Sequence, residues 1–257
     1  MRALAQLNLE VIIMKKNIAG LRSGLFIFIF WGIFTPLWCT PMILFGRLIP
    51  LRKRFTYIVR PYAIVLIFLV RWICGVRYHV TGKDNIPNQG GYVIASNHQC
   101  AWETFFLQLI FTPQTQVIKQ SLLNIPFFGW AFRLQEPIAI DREEPKAALK
   151  KIVKQGKAKL EQGYYVSIFP EGTRTEPHSV ANFSAGFILL AKKSAVPVIP
   201  ISLNPGHFWR NDSWIKYPGT VQVHVHPAYE INNNKQDLQK IEQMVRQKVQ
   251  QQNQRIK

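Results

Sequence analysis

The amino-acid sequence predicts an α/β fold carried behind an apolar helical N-terminus, and two patterns lead to that reading. From Gly24 to Gly46 no charged residue occurs, a run of about 23 that is long enough to cross a hydrocarbon core. After Val76 short apolar runs alternate with longer amphipathic ones, the pattern of an α/β domain. The change of texture sets the expected division: an N-terminal membrane-associated helical segment over 1–76 and an α/β domain over 77–257.

The first stretch, through Arg22, mixes Lys15, Lys16 and Arg22 with apolar residues, and Met1 and Met14 are both candidate starts. Within the charge-free run, Pro36 and Pro41 are expected to kink or break a helix. A cleaved signal peptide is the less favoured reading of this run, because the apolar core is long for one and no A-x-A-like site follows. A second apolar run, Tyr62–Val76, is shorter and holds Arg71. Between the two lie Arg47, Arg52, Lys53, Arg54 and Arg60, which a two-span hairpin would place outside, against the positive-inside tendency. The expectation is a pair of helices embedded from the cytoplasmic leaflet, with a single span over 24–46 as the alternative. Each Lys or Arg at headgroup level then contributes about 1 kcal/mol against anionic lipid.

In the α/β part, strands are expected at Arg77–Val80, Gly91–Ala95, Gln116–Lys119, Pro137–Ile140, Tyr164–Phe169, Val198–Ser202 and Val221–Val225. Helices are expected after Gln99, Leu122, Pro145, Ser184 and Gln236. The last carries Leu238, Ile241, Val245 and Val249 as one apolar stripe.

The chain's 257 residues, 48% apolar and 12% aromatic, exclude a disordered protein. Thirty-two Lys and Arg against 14 Asp and Glu give a net charge of +18, which calls for an anionic partner: nucleic acid, a lipid surface or a phosphorylated small molecule. No nucleic-acid module is recognisable and the cations gather beside apolar runs and at strand ends, so nucleic acid is set aside. Cys39, Cys74 and Cys100 are odd in number and widely spaced, which indicates a reducing compartment and no structural metal.

The chemistry is expected in two constellations. The first is Ser96-Asn97-His98-Gln99-Cys100-Ala101-Trp102-Glu103, directly after a strand. Imidazole can take a proton from a hydroxyl and return it, and a carboxylate on its other nitrogen holds the tautomer. Five residues along a helix is roughly 500°, about 140° round the axis, so the pair cannot share a helix face. His98 must sit in the turn before a helix that contains Glu103, with Ser96 or Asn97 as the expected cap and Trp102, Phe105, Phe106, Leu107 and Leu109 as its buried side. Taken alone, the pair reads more readily as a structural histidine beside an exposed glutamate, and only the second constellation reverses that. The second is Phe169-Pro170-Glu171-Gly172-Thr173-Arg174, where a buried strand ends in a glycine-bearing turn. Open α/β sheets place ligands at such strand ends, and a guanidinium there grips phosphate oxygens. Lys119 and Arg142 also end strands, so three cations are expected in one cleft. Pro200, in the proline-bracketed strand Val196–Ile201, is expected to shape the pocket wall.

Asn97-His98-x4-Glu103, the Lys119–Gly129 stretch, Ile140-Asp141-Arg142, the Phe169–Arg174 block and Val198-Ile199-Pro200 follow the order and spacing of the four blocks of the glycerolipid acyltransferases. Over Val80–Ser202 the chain resembles bacterial members of that family. It departs from the family pattern in having Glu103 for the usual Asp and Cys100 where Ser is frequent. The resemblance implies a mixed sheet flanked by helices, of the glycerol-3-phosphate acyltransferase-like kind. It also implies transfer of an acyl group from acyl-CoA or acyl-carrier protein to the 2-hydroxyl of lysophosphatidic acid, giving phosphatidic acid, at the cytoplasmic face of the inner membrane and without cofactor or metal. His98 would be the base and Glu103 its orienting carboxylate. Lys119, Arg142, Glu171, Gly172, Thr173 and Arg174 would bind phosphate and glycerol, with backbone N–H groups near Gly172 as oxyanion donors, and Pro170 and Pro200 would shape the pocket. The alternatives are the same chemistry on another lysolipid, such as a lyso-ornithine lipid, an acyl-cysteine route through Cys100, and a non-catalytic membrane-surface protein.

Overall fold

A computed structural model describes residues 2–89, 91–254 and 256. The N-terminal part holds helices α1 (Arg2–Ile27), α2 (Thr35–Phe45), α3 (Leu51–Arg54) and α4 (Arg60–Cys74), with π-helical stretches at Phe28–Phe34 and Phe55–Val59. The prolines do not break the first helix. Pro36 follows the π-helical stretch, in which the Thr35 N–H and hydroxyl both reach Phe30 O, so helical winding continues to Phe45 and the chain turns only at Ile49–Pro50. The second helical stretch is longer than its apolar run, because Leu51–Val59 extends it back through the basic segment.

Glu10–Leu48 and Leu51–Cys74 are long and apolar enough to cross a membrane. Only 17% and 39% of their most apolar windows are buried, so neither is an ordinary core helix. Leu21, Phe28, Leu37, Leu48, Phe68 and Trp72 all stand exposed. Both stretches nevertheless lie along the α/β domain. Arg54 donates from Nη1 to Leu134 O at 2.7 Å, Arg52 to Gln162 O at 3.2 Å, and Phe55 meets Tyr164 edge-on at 5.5 Å. Further along, Phe26 packs edge-on to Trp209 at 5.7 Å, and the Lys216 N–H donates to Ser23 Oγ at 2.7 Å. Arg52 and Arg54 therefore tether the helical turn to the domain, where the sequence pattern alone had them facing headgroups.

The domain is a sheet of β1 (Val76–Thr81), β2 (Val93–Ser96), β3 (Gln114–Lys119), β4 (Ile138–Ile140), β5 (Tyr165–Ile168), β6 (Val198–Leu203) and β7 (Gly219–Val225), in the order β1-β7-β6-β2-β5-β3-β4. Every pairing is parallel except β6 with β7, so the sheet is mixed. Side-chain alternation sorts the strands between two layers. Val93, Ala95, Val166 and Ile168 pack against α7 (Pro145–Glu161), α8 (Gly186–Ser194) and α9 (Asn234–Gln254), through residues such as Ile152, Phe187 and Ile241. Ile94, Tyr165, Ile199 and Ile201 face α5 (Trp102–Ile110) and the N-terminal helices, through Phe106, Leu66 and Phe30. A short helix, α6 (Phe128–Phe132), closes the region after Leu122. Because β2, β5, β3 and β4 are parallel neighbours, their C-terminal ends share one sheet edge, and all four expected site segments leave from it.

Candidate active site

His98 lies in the turn between β2 and α5, and its Nδ1 is 2.8 Å from Glu103 Oε1. The same oxygen accepts the backbone N–H groups of Gln99 at 2.6 Å and Cys100 at 2.7 Å, and Oε2 accepts the Cys100 thiol at 3.1 Å. Glu103 is fully buried. Burial pushes its pKa up, but the hydrogen bond and charge of His98 and the Cys100 N–H outweigh that and hold the carboxyl below its ordinary value. An ionised carboxylate only accepts, so Nδ1 is the donor in this bond and Nε2 is the ring nitrogen left to face a substrate. The longer glutamate thus reaches the ring. The expected cap is not formed: α5 begins from Ala101 without a side-chain cap, and Glu103 itself gathers the N–H groups ahead of the helix. Ser96 bonds to Asn97 O, while Asn97 pairs with both backbone groups of Leu203 and fastens the turn to β6.

Cys100 is buried, outside the cavity lining, with its thiol on Glu103. Burial first, and then the Glu103 charge, drive its pKa well above the ordinary value, so it stays a thiol and a poor nucleophile. Cys100→Ser is expected to keep turnover within about threefold, since a hydroxyl also donates to the carboxylate. Steady-state acyl-transfer rates check this, and loss of activity would point to an acyl-cysteine route.

The second block supports the first. Gly172 adopts φ +70°, a conformation that favours glycine, and open space lies where a Cβ would stand. Its N–H donates to Phe169 O at 3.0 Å, so it is already engaged and is no oxyanion donor here. Glu171 also departs from expectation. Its Oε1 accepts the His98 backbone N–H at 2.6 Å and its Oε2 that of Ala181 at 2.8 Å, so it braces the histidine's backbone and contacts neither Arg174 nor the cavity. Burial pushes its pKa up to about 7. From the other side, Thr175 donates to His98 O from both N–H (2.8 Å) and hydroxyl (3.2 Å). Phe169 stacks on the imidazole at 4.3 Å.

Arg174 donates to Asn211 Oδ1 at 2.7 Å. It meets Lys119, Arg142, His98 and Phe169 around a cavity of about 240 Å³ whose apolar wall includes Trp31, Tyr62, Phe105 and Phe128. None of the three cations pairs with a carboxylate among the described residues. The pKa of Arg142 is lowered by burial and then by the Arg174 charge, so the two guanidiniums repel across the cavity end. Gly172, Thr173, Pro170 and Pro200 do not line it. Pro170 is buried beneath the turn, and Pro200 lies inside β6 opposite Ala95, so both shape the scaffold and not the wall. Phe169, Thr175 and Asn211 escape sequence reasoning, although an aromatic at the end of β5 was a readable hint for the first.

A cavity of this kind handles an alkyl chain and an anion together, beside a base able to activate a hydroxyl, and the class that follows is an acyltransferase. The acyltransferase family model matches residues 77–204. The 1-acyl-sn-glycerol-3-phosphate acyltransferase of Pseudomonas aeruginosa is 46% identical over 191 residues, 74% of this chain and 74% of that one. The enzyme of that name from Borreliella burgdorferi is 30% identical over 162 residues, 62% of this chain and 64% of that one. The crystal structure of the 1-acyl-sn-glycerophosphate acyltransferase PlsC of Thermotoga maritima superposes with a TM-score of 0.71 at 21% identity, covering 90% of this chain and 97% of that one, a likeness of fold. The chain belongs to the acyltransferase family, among the 1-acyl-sn-glycerol-3-phosphate acyltransferases.

Proposed function

We propose that the protein transfers an acyl group from acyl-CoA or acyl-carrier protein to the 2-hydroxyl of 1-acyl-sn-glycerol-3-phosphate, giving phosphatidic acid. One observation carries the reading: His98, bonded to Glu103, and three cations without a carboxylate partner among the described residues line one cavity with an apolar wall. His98 Nε2 takes the hydroxyl proton as the oxygen attacks the thioester carbonyl, and Glu103 stabilises the imidazolium. Collapse of the tetrahedral intermediate forms the ester and breaks the C–S bond, and the leaving thiolate takes the proton back. A thioester is already activated, so no cofactor is needed. Arg174, held by Asn211, and Lys119 and Arg142 bind the phosphate, while Glu171 and Thr175 hold the histidine's backbone in place.

The two apolar helical stretches lie embedded in one leaflet, along the domain, so the lysolipid enters the cavity without leaving the membrane. The three free cysteines suit the cytoplasmic face.

A panel of lysolipid acceptors with one labelled donor tests the activity, and no transfer to any lysophospholipid sinks it. Arg174→Ala is expected to raise KM for the phosphomonoester acceptor about 10- to 100-fold, the value of a charged hydrogen-bond pair, with a smaller effect on kcat. An unchanged KM would remove Arg174 from the phosphate site.

A further inference from the structure

The loop between β6 and β7 touches the catalytic site on one side and α1 on the other. Its ends are joined by a bridge between Trp209 and Lys216, and its turn holds Asn211 and Trp214. Toward the site, Asn211 Oδ1 accepts from Arg174 Nη1 at 2.7 Å. Toward α1, the Lys216 N–H donates to Ser23 Oγ at 2.7 Å, and Lys216 Nζ donates to Trp214 O at 2.6 Å. The Trp214 indole lies along α1: a Cβ on Gly20 would stand 3.7 Å from it and one on Gly24 3.9 Å. Yet Trp214 is 56% exposed, and the exposed Leu21, Leu25 and Phe28 of α1 border the same shallow groove.

The place of the indole along α1 identifies what covers it. Gly20 and Gly24 flank Arg22, the last charge before the charge-free run Gly24–Gly46, so the ring lies where the helix passes from charged to apolar sequence. Tryptophan favours that level of a bilayer, with its amphipathic ring among the headgroups. A bilayer that takes up Leu21, Leu25 and Phe28 also meets the indole packed beside them. Asn211 is three residues from Trp214, a span of at most about 11 Å, so Arg174 is tied within that reach of the headgroup level at which a lysolipid carries its phosphate. Asn211 is itself exposed, and an exposed hydrogen bond competes with water; fixing the loop lowers the entropy lost in forming it.

Building on the readings that the N-terminal helices are embedded and that Arg174 binds the acceptor phosphate, we propose that the Trp209–Lys216 loop is a lipid-contacting element. Trp214 seats in the headgroup layer beside α1, and through Asn211 the seated loop holds Arg174 in position for the phosphate. Trp214 and Asn211 are positioning residues, and the lipid surface is their partner.

The full chain, reconstituted in vesicles of phosphatidylethanolamine and phosphatidylglycerol, is given a nitroxide label at one of three sites, through Trp214→Cys, Phe28→Cys on α1, or Lys154→Cys. Lys154 is exposed on α7, in the layer opposite the N-terminal helices, and the unsubstituted protein, whose three cysteines are buried, supplies the blank. Collisions with oxygen, which concentrates in lipid, are compared with collisions with an aqueous nickel chelate. The oxygen-to-chelate ratio at position 214 is expected to rise well above that at 154, toward that at 28. A ratio equal to that at 154 overturns the proposal, and so does a label shielded from both reagents, which means a protein partner or a second copy. A ratio at 28 as low as that at 154 overturns instead the embedded reading on which the proposal rests.

In the same vesicles, with the lysophosphatidic acid mole fraction varied, Asn211→Ala is expected to raise KM about 3- to 10-fold and to leave kcat within about twofold. Trp214→Ser is expected to raise KM about threefold alone and by less than about 1.5-fold once Asn211 is alanine, because both act through Arg174. An unchanged KM in Trp214→Ser, or an equal effect in the two backgrounds, overturns the proposal. Absence of transfer by the wild type overturns the acyl-transfer reading itself.

Discussion

Replacing His98 by alanine is expected to abolish acyl transfer, lowering kcat/KM by at least about 10²–10⁴-fold, the range assigned to a positioned general base. The loss should fall on kcat, because none of the contacts that would bind phosphate or acyl chain passes through the imidazole. The fold should survive the change. His98 is fastened by its backbone, through Glu171 and Ala181 on one side and Thr175 on the other, and Asn97 and Gln99 fix the flanking turn to Leu203, Pro177 and Gly206. Transfer from a labelled donor, measured beside the thermal unfolding midpoint, checks both halves. Residual activity above about a tenth of wild type, in a folded variant, would exclude His98 as the base.

Glu103 to glutamine is the second large effect. One amide oxygen could still accept the N–H groups of His98, Gln99 and Cys100, so the substitution removes charge while leaving the turn in place. What is lost is stabilisation of the imidazolium. At an effective dielectric near 20 a neighbouring unit charge is worth about 2–4 kcal/mol, or roughly 30- to 1,000-fold in kcat. Glu103→Asp keeps the charge but retracts the carboxylate by one C–C bond, about 1.5 Å, from donors now at 2.6–2.8 Å. Residue type alone predicts that the aspartate variant retains activity. Three short bonds converging on one buried oxygen predict instead a value between wild type and Glu103→Gln. Equal kcat in Glu103→Gln and wild type would leave the carboxylate a purely structural part of the turn.

The strands were legible because most are short runs rich in β-branched and aromatic residues that end near a glycine, a proline or a charge, and local pattern suffices for that. His98 and Glu103 were legible as a pair because their spacing forbids a shared helix face and so requires a turn followed by a helix, which is what β2 and α5 supply. Lys119, Arg142 and Arg174 were legible because each lies at or within a short turn beyond the end of a predicted strand, and parallel strands deliver their ends to one edge. The functions of individual side chains were less so. Glu171 was expected to contact glycerol or phosphate and instead accepts the His98 backbone N–H; of the N–H groups near Gly172 expected to face an oxyanion, that of Gly172 closes its own turn. Pro36 looked like a helix break and is accommodated by a stretch of π-helix.

The sequence by itself determined the α/β class, the apolar N-terminus, the spacing of the His98–Glu103 pair and the three cations at strand ends, since all of these follow from residue type and short-range spacing. Only the tertiary structure decided what each group touches. Asn211 on Arg174, Phe169 on His98 and Arg54 on Leu134 are approaches between distant segments. Hydrogen bonds and packing act over a few ångströms in space, and separation along the chain carries no record of which side chains that space will bring together.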